Sequence, residues 1–600
     1  MELILRFSLI LFSMTGYLLF FHQKYQIRIE FAPALFCAWT SNLLFLAGLL
    51  NVLPHMVWLL WAGGVFLLIW SWKEKYRLNR RSLLFYGIFL CVIVFFFCIL
   101  QGAHITKYDN FSHWATVVKD MLRENRMPNF KDAVIRFQSY PLGSSLFIYG
   151  ICLVTGSADG CMLWAQLLMQ ISFLSCLAVF IQKKNWNIAF VFVFYSIWAL
   201  SVNNSIYELR VDTLLPLAGV ASFAMIYEEK HNSQKALYHA SGIWILLINI
   251  KNSGIFFYAV CLFFYAVYYN KELKRRKLCF LCTGLFAPLF TMFLWKRHVA
   301  FAFSDGMSSK HSMNLAHFEE MAAKKTADDV IGIGVQILKR FLNPDNLEVK
   351  MMLILTVFLL MMATLLRGQK MMKTIVVLLA SSWGCLAVYT ISLFAMYVFS
   401  MPMGESARLA SYDRYVLSVL IFIFGIAVVV ITDVARVLAQ IQANQMHHSS
   451  GMYQVRMLVM AAALFSAVLV WQVRKRLPLL YQAPDFDGTK RNLLQELIQR
   501  DGLEEGDSCF IYCNGSDDDA RYFFYLTRYE LWSNDILVVT AEEFQEKQDQ
   551  IEAYDYLVIW ETDEQIKRYL NQKGMSKYAG KEKTGIPIAE TKRSPDISLG

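Results

Sequence analysis

Charge is scarce in this 600-residue chain, at 17% of residues, and its twelve cysteines follow no pattern. The cysteines are scattered, mostly inside apolar runs, and none stand at zinc-ligand spacing. Cys509 and Cys513 fall on one expected strand, too far apart to bridge within it. A disulfide framework and a zinc centre are both excluded on this reading. No basic n-region precedes the first apolar run, and more runs follow at once, so a retained helix is expected there and not a cleaved signal. The basic residues sit in short loops beside apolar runs, with no continuous basic stripe on a soluble segment. That distribution excludes a nucleic-acid partner. Ionisable residues are also missing from the middle of the apolar runs, which counts against a transporter with a midplane site.

What is there in excess is apolar surface: 56% of residues are hydrophobic and 15% aromatic. Runs repeatedly exceed the roughly 18 residues that suggest a bilayer crossing. The expected spans lie near 3–21, 31–50, 53–72, 83–101, 160–181, 186–201, 211–227, 236–250, 252–269, 278–296, 351–366, 374–399, 413–435 and 455–472. The expected fold class is therefore an all-α polytopic membrane protein of about 14 transmembrane helices. The piece from Pro141 to Thr155 is apolar but short and opens Tyr-Pro-Leu-Gly, which predicts a half-inserted or interfacial helix.

Loop charge tests this count. Lys24 and Arg28, the Lys73-Lys75-Arg77-Arg80-Arg81 run, Lys183 and Lys184, Lys230 and Lys235, Lys271 to Lys277, and Arg367-Lys370-Lys373 all fall on one side. The positive-inside rule makes that side cytoplasmic. Both termini and the external loops 102–159, 297–350 and 400–412 then lie outside. Within the second loop, 315–342 is amphipathic and is expected either to lie on the outer interface or to pack as an ordinary external helix.

From about residue 475 the material changes. Residues 485–600 hold 24 Asp+Glu against 14 Lys+Arg, a net of −10, so the rest of the chain carries about +20. Strand-like Cys509–Cys513, Ile536–Thr540 and Tyr556–Trp560 alternate with polar helical stretches, which argues a small C-terminal α/β domain. The Asn514–Asp519 run reads either as a helix-capping turn or as a cation or sugar site.

The candidate site residues lie on the outer side. If the chain after Asp109 is helical, Asp109 and His113 share a face, with Trp114 and Tyr108 as flanking rings. A helix cap at Asp109 or Asn110 with a surface histidine is the plain alternative. Glu208, Arg210 and Asp212 precede one span, Lys251 separates two more, and Glu405, Arg408, Asp413 and Arg414 precede another. Cations would hold a phosphate leaving group while a carboxylate takes a proton from an acceptor hydroxyl. Snorkelling and mutual ion pairing at the interface would place the same residues there without chemistry.

The external-loop acid in Tyr-Asp109-Asn-Phe-Ser-His-Trp, the following Tyr140-Pro-Leu-Gly half-helix and the second external carboxylate in Arg210-Val-Asp212 together resemble the GT-C superfamily of integral-membrane glycosyltransferases. Protein O-mannosyltransferases and lipid A aminoarabinose transferases belong to it. The Lys251-Asn-Ser-Gly254 turn and the Arg408 to Arg414 segment extend the likeness, which covers roughly 83–435. The resemblance implies a hexosyl-transferring enzyme of the bacterial cytoplasmic membrane. It would take a polyprenyl-phosphate sugar donor from the outer leaflet, act on a glycan or lipid acceptor of the envelope, and invert the anomeric carbon. It implies catalytic roles for Asp109, Asp212 and His113 and substrate binding by Lys251, Glu405, Arg408, Arg414, Tyr140 and Trp114. Together with the change of composition near 475, three regions are expected: additional N-terminal helices over 1–82, a transmembrane catalytic module over 83–472, and an extracytoplasmic soluble domain over 473–600. The chain departs from the pattern in carrying three spans before the one that leads into the acidic loop. Asn110 stands where such loops often carry a second acid, and one carboxylate with one histidine is a poor hard-cation site. No cofactor is therefore assigned, and a divalent cation stays open. A flippase of lipid-linked saccharide and a non-catalytic assembly subunit are the alternative functions.

Overall fold

The structure is a computed structural model that describes residues 2–74, 78–181, 187–229, 232–273, 277–303, 315–367, 370–444 and 449–588. Of the basic loop residues, Lys75, Arg77, Lys183, Lys184, Lys230, Lys274, Arg275 and Arg276 lie outside the described residues, as does 304–314 of the second external loop. The chain forms two compact units. The first holds Met1–Gly102, Met121–Met127 and Phe137–Ala483, and the second holds Ala103–Asp120, Pro128–Arg136 and Pro484–Gly600.

The first unit is helical. Its elements include α1 (Glu2–Lys24), α2 (Ala32–Leu49), α3 (Leu53–Lys73) and α4 (Arg80–Leu100). After the excursion into the second unit come α5 (Gly143–Thr155), α6 (Asp159–Ser175), α7 (Asn187–Val202), α8 (Leu214–Glu228), α9 (Ser233–Ile250) and α10 (Gly254–Tyr268). The series ends with α11 (Ala287–Ala302), α12 (Leu315–Ala323), α13 (Ala327–Leu342), α14 (Leu347–Leu365), α15 (Lys370–Phe399), α16 (Tyr412–Asn444) and α17 (Ser449–Gln472). Nine helices among the described residues are long and apolar enough to cross a membrane, and other apolar helices are shorter, between 10 and 17 residues. The chain is thus a polytopic helical membrane protein, and by length and composition the structure supports nine crossings where the sequence reading counts fourteen.

Helix starts and stops follow local chemistry. Pro33 and Pro54 stand in the first turns of α2 and α3, where the missing N–H has no helical partner to lose. The side chains of Asn79 and Asn232 cap the amides of Ser82 and Lys235 at 2.9 and 3.0 Å. Polar ring groups inside the bundle find carbonyls: Trp61 donates to Gly150 at 2.9 Å, Trp164 to Ile93 at 2.9 Å and Tyr195 to Ile421 at 2.8 Å. These bonds matter because an apolar surround leaves an unmet donor without water to turn to. The α1 and α3 backbones approach closely because Gly16 faces Gly64; a Cβ on Gly16 would stand 1.9 Å from the Gly64 carbonyl oxygen.

The 143–155 segment is short, as the sequence reading expects, and is enclosed by protein. It is helix α5, 13 residues long and buried along nearly its whole length, packed against α2 and α6. At about 20 Å it is too short to span a roughly 30 Å hydrocarbon core. Its apolar residues are buried against protein, which leaves the half-inserted reading and argues against a helix lying exposed on the interface.

The second unit is built on a four-stranded sheet of β1 (Cys509–Tyr512), β2 (Ile536–Val539), β3 (Tyr556–Ile559) and β4 (Thr584–Pro587), in spatial order β2-β1-β3-β4. β1 runs parallel to β2 and β3, while β4 closes the edge antiparallel to β3. Helices α18 (Lys490–Asp501) and α19 (Asp517–Leu531) flank it. The Asn514–Asp519 run is a capping turn, in which Ser516 accepts from the Asp519 amide. β4 has no counterpart in the sequence reading because Thr-Gly-Ile-Pro carries two residues that weaken strand propensity. Residues 103–120 and 128–136, distant in sequence, also belong to this unit.

Candidate functional site

In the first unit the chain brings one carboxylate and two cations together from three separate helix ends. Asp212 lies in the turn before α8, Lys251 is the C-terminal cap of α9, and Arg414 sits in the first turn of α16. Lys251 Nζ donates to Asp212 Oδ1 at 3.2 Å, and Arg414 Nε lies 3.2 Å from Oδ2. Both cations also stand over the ring of Tyr415, at 5.3 and 5.2 Å from its centroid. One negative and two positive charges leave the cluster with net positive charge, and the Asp212 side chain is only 8% exposed. Such a carboxylate is held as a counter-ion, and its two partners present cationic hydrogen-bond donors suited to an oxyanion.

The turn that carries Asp212 is fixed from behind. Gln166 of α6 donates its amide to the carbonyls of Arg210 at 2.9 Å and Glu208 at 3.4 Å. Glu208 and Arg210 pair with each other. Opposite, the 400–412 turn is held by Ser406, whose hydroxyl donates to the Tyr397 carbonyl at 2.7 Å, and by Tyr397, whose hydroxyl donates to the Ala410 carbonyl at 2.8 Å. Within it Leu409 and Ser411 adopt left-handed backbone, with φ of 48° and 64°. Two non-glycine residues in that region are a local cost that the surrounding contacts impose, and it falls immediately before Arg414.

The 315–342 segment is helical in two pieces, α12 and α13, with a capping box at Thr326 and Asp329. Lys325 donates to the Val398 carbonyl at 2.9 Å and the Met401 carbonyl at 2.7 Å, while Arg340 pairs with Asp413. Ile333 and Ile337 are buried, and Ile331, Val335, Leu338 and Leu342 are exposed. The segment is thus strapped to the turn that positions Arg414.

An apolar cavity of about 370 Å³ opens between α10, α15 and α16, lined by Phe256, Val260, Phe264, Cys385, Val388 and Ile423 among others. None of the charged residues lines it; its lining begins at Phe256 on α10 and at Ile423 on α16, nine residues past Arg414. Phe256 is five residues past Lys251, and its ring lies 4.8 Å from that of Tyr389, beside Val388. It continues down the helices for about 12 Å, the rise of the eight residues from Phe256 to Phe264. A cationic cluster and an oily slot on the same two helices, α10 and α16, suit an anionic amphiphile.

The other expected site residues fall as follows. Tyr140 is half-buried in the first unit, its ring 5.3 Å from Phe137. The adjoining Gly143 is pressed on the last turn of α9, where a Cβ would stand 2.8 Å from the Asn249 carbonyl oxygen. Glu405 is half-buried and Arg408 exposed on the turn before α16, whereas the ion pairs described at Asp212 come from Lys251 and Arg414.

Asp109, His113 and Trp114 belong to the second unit. Residues Asn110–Trp114 form one π-helical turn, a form enriched at functional sites, and a helix over Ala115–Glu124 follows. Asp109 stands at its N-cap position but does not cap it, and His113 and Trp114 are buried. This loop is clamped by α18 and α19. Arg491 donates to the Ile105 carbonyl at 2.8 Å, pairs with Glu530 at 2.6 Å and stands 5.4 Å over the Phe111 ring. Tyr522 donates to the Thr106 carbonyl at 2.8 Å, and Lys119 to the Tyr529 carbonyl at 2.6 Å. Arg528 holds the neighbouring segment through the Ala133 carbonyl at 2.8 Å. Burial, with Arg136 nearby, pulls its guanidinium down to about 10.

Gln166, Lys325, Arg340, Tyr415 and Arg491 were not identified from the sequence. Tyr415 adjoins Arg414 and could have been included; a glutamine inside an apolar run such as Gln166 gave the only other cue. Among the described residues, no group of three or more His, Cys, Asp or Glu side chains is placed to hold a metal ion.

No family model matches this chain, and no curated protein matches it. Among solved structures it is similar to the crystal structure of ArnT from Cupriavidus metallidurans bound to undecaprenyl phosphate. The two are 11% identical with a TM-score of 0.42, covering 82% of this chain and 94% of that one.

Proposed function

We propose that this chain is a membrane glycosyltransferase that moves a sugar from a polyprenyl-phosphate donor to an envelope glycan or lipid acceptor on the outer face of the bacterial cytoplasmic membrane. The observation that carries the proposal is the net-positive Asp212–Lys251–Arg414 cluster, from which α10 and α16 run on to line an apolar groove. Lys251 and Arg414 hold the donor phosphate, and the groove takes the first isoprene units. The acceptor hydroxyl oxygen attacks the anomeric carbon as the bond from that carbon to the phosphate oxygen breaks. The electron pair leaves with the polyprenyl phosphate, whose charge the two cations stabilise. Asp109 is assigned the acceptor proton. Asp212, engaged through both oxygens, is a positioning residue for the cations and not the base. His113, Trp114, Tyr140, Glu405 and Arg408 belong to the acceptor side of this reading. The tail from 473 is placed outside, with the loops 102–159, 297–350 and 400–412.

The test is binding of a long-chain polyprenyl phosphate to the full chain in nanodiscs, with the uncharged polyprenol as control. The expected result is preference for the phosphate, reduced about 10- to 100-fold by Lys251→Met or Arg414→Met, the loss of one charge-assisted hydrogen bond. Equal binding of phosphate and alcohol would overturn the proposal. With a transferable donor, Asp109→Asn is expected to retain binding and lose transfer. Movement of the donor between leaflets while transfer is blocked would favour a flippase instead.

A further inference from the structure

A second cavity, of about 630 Å³, lies in the first unit among α1, α2, α3 and α9. It occupies the opposite end of the bundle from the charged cluster. Lys235 in the first turn of α9 lines it, whereas Lys251 caps the other end of the same helix, about 24 Å away along the axis at 1.5 Å per residue. On the loop-charge reading this end is cytoplasmic, so the two cavities serve opposite leaflets.

The cavity is polar at its end and apolar in its depth. Tyr25, Lys235, Tyr238 and His239 line the outer part. Leu35, Phe36, Trp39, Leu43 and Leu60 line the inner part, a depth of about 12 Å over the two turns of α2 from Leu35 to Leu43. The mouth opens sideways. Trp39 and Leu43 are 39% and 38% exposed on a helix whose other faces are buried, so the opening runs along the stripe of α2 that faces the lipid. The volume is in the range of pockets that enclose small ligands, about 300–1,000 Å³.

Two groups mark the outer part as a head-group site. His239 is 6% exposed, and its Nδ1 is buried with no hydrogen-bond partner among the described residues. A buried imidazole nitrogen in that state calls for a partner from outside the chain. Lys235 gives one N–H to the Gln26 carbonyl at 2.9 Å and forms a loose ion pair with Glu229 Oε1 at 3.6 Å, too long for a hydrogen bond. An ammonium has three donors, so Lys235 retains capacity toward a ligand oxygen. Tyr17, also in the lining, is already committed, donating to the Leu60 carbonyl at 2.9 Å, and serves as wall.

We propose that this cavity binds an anionic phospholipid of the leaflet opposite the Asp212 cluster, with its phosphate at Lys235 and His239 and one acyl chain along Leu35, Trp39 and Leu43. The site is separate from the transfer reaction and does not depend on it.

The test is photolabelling of the full chain in nanodiscs with a phosphatidylglycerol that carries a diazirine in one acyl chain, compared with the matching phosphatidylcholine. Phosphatidylglycerol is expected to label peptides covering 17–43 and 235–243 at least fivefold more than phosphatidylcholine. Lys235→Gln is expected to bring the two to parity. Thr40→Trp, which fills the cavity from its wall, is expected to remove labelling there, and a thermal-unfolding midpoint within a few degrees of wild type shows that it folds. Equal labelling by the two lipids, or labelling that survives both variants, would overturn the proposal. Displacement of the lipid by millimolar inorganic phosphate would overturn it in favour of a soluble anion.

Discussion

Replacing Asp212 by Asn is the sharpest perturbation of the charged cluster, because one carboxylate organises two cations. Each ion contact, at 3.2 Å, carries about 5 kcal/mol of Coulomb energy at an effective dielectric near 20. Most of that offsets desolvation, and removing one member of a buried pair costs about 3–5 kcal/mol in measured cases. Little solvent screening applies, since the Asp212, Lys251 and Arg414 side chains are 8%, 14% and 19% exposed. Asp212→Asn is therefore expected to destabilise the first unit by about 3–5 kcal/mol, chiefly by leaving two cations facing each other. Arg414→Met alone should cost about 2–3 kcal/mol, since Lys251 continues to neutralise Asp212. The double variant should be less damaged than the sum of the two, with a coupling of about 1–3 kcal/mol, because removing Arg414 relieves the repulsion that Asp212→Asn creates. The assay is reversible unfolding in mixed micelles, read by circular dichroism on all four members of the cycle. Additivity within about 0.5 kcal/mol would refute the reasoning, since it would mean that the two side chains do not sense each other.

Arg491→Leu removes the clamp on the Asp109 loop and leaves Glu530, half-buried, with the Gln495 amide at 3.0 Å. Hydrogen exchange at amides 105–114 is expected to accelerate by an order of magnitude or more, the second unit losing about 3 kcal/mol; unchanged exchange would show that the loop holds itself. Ser411→Gly, at φ 64° on an exposed position, should stabilise by about 0.5–1 kcal/mol, relief of left-handed strain exceeding the backbone freedom gained by the unfolded chain; an unchanged or lower unfolding midpoint would refute it. Asp501 is pushed up by burial but held below the usual carboxylate range by Arg500 and by the Gly585 amide, which donates to it at 2.6 Å. A lowered folded value means that its stabilisation is complete above the unfolded value of about 3.9 and is lost as pH falls through the folded one. Asp501→Asn should accordingly flatten the acid limb of the unfolding profile of the second unit below about pH 4.

Much of the secondary structure could be read from the chain because apolar run length and strand periodicity are local properties. Fourteen apolar segments, three of the four strands and the capping turn at Asn514–Asp519 all follow from neighbours in sequence. Crossing count is less local: α5 and α8 are apolar but 13 and 15 residues long, and only packing decides that α5 is enclosed by protein. The candidate site was half legible. Charges at span ends singled out Asp212, Lys251 and Arg414, since an ionisable group beside an apolar run needs a reason to be there. Nothing in the sequence said that Arg414, and not Arg408, would meet Asp212.

By itself, then, the amino-acid order determined that the chain lives in a bilayer, which loops carry its positive charge, and that residues 485–600 are acidic with strands alternating with helices. Tertiary structure alone decided which charges meet, because ion pairing acts over a few ångströms between residues up to two hundred positions apart. It decided likewise that the Asp109 loop is gripped by Arg491 and Tyr522, 386 and 416 positions downstream of the residues they hold. Sequence periodicity can show that a face is apolar or that an end is charged. Which face or end it will meet depends on how the whole chain closes on itself.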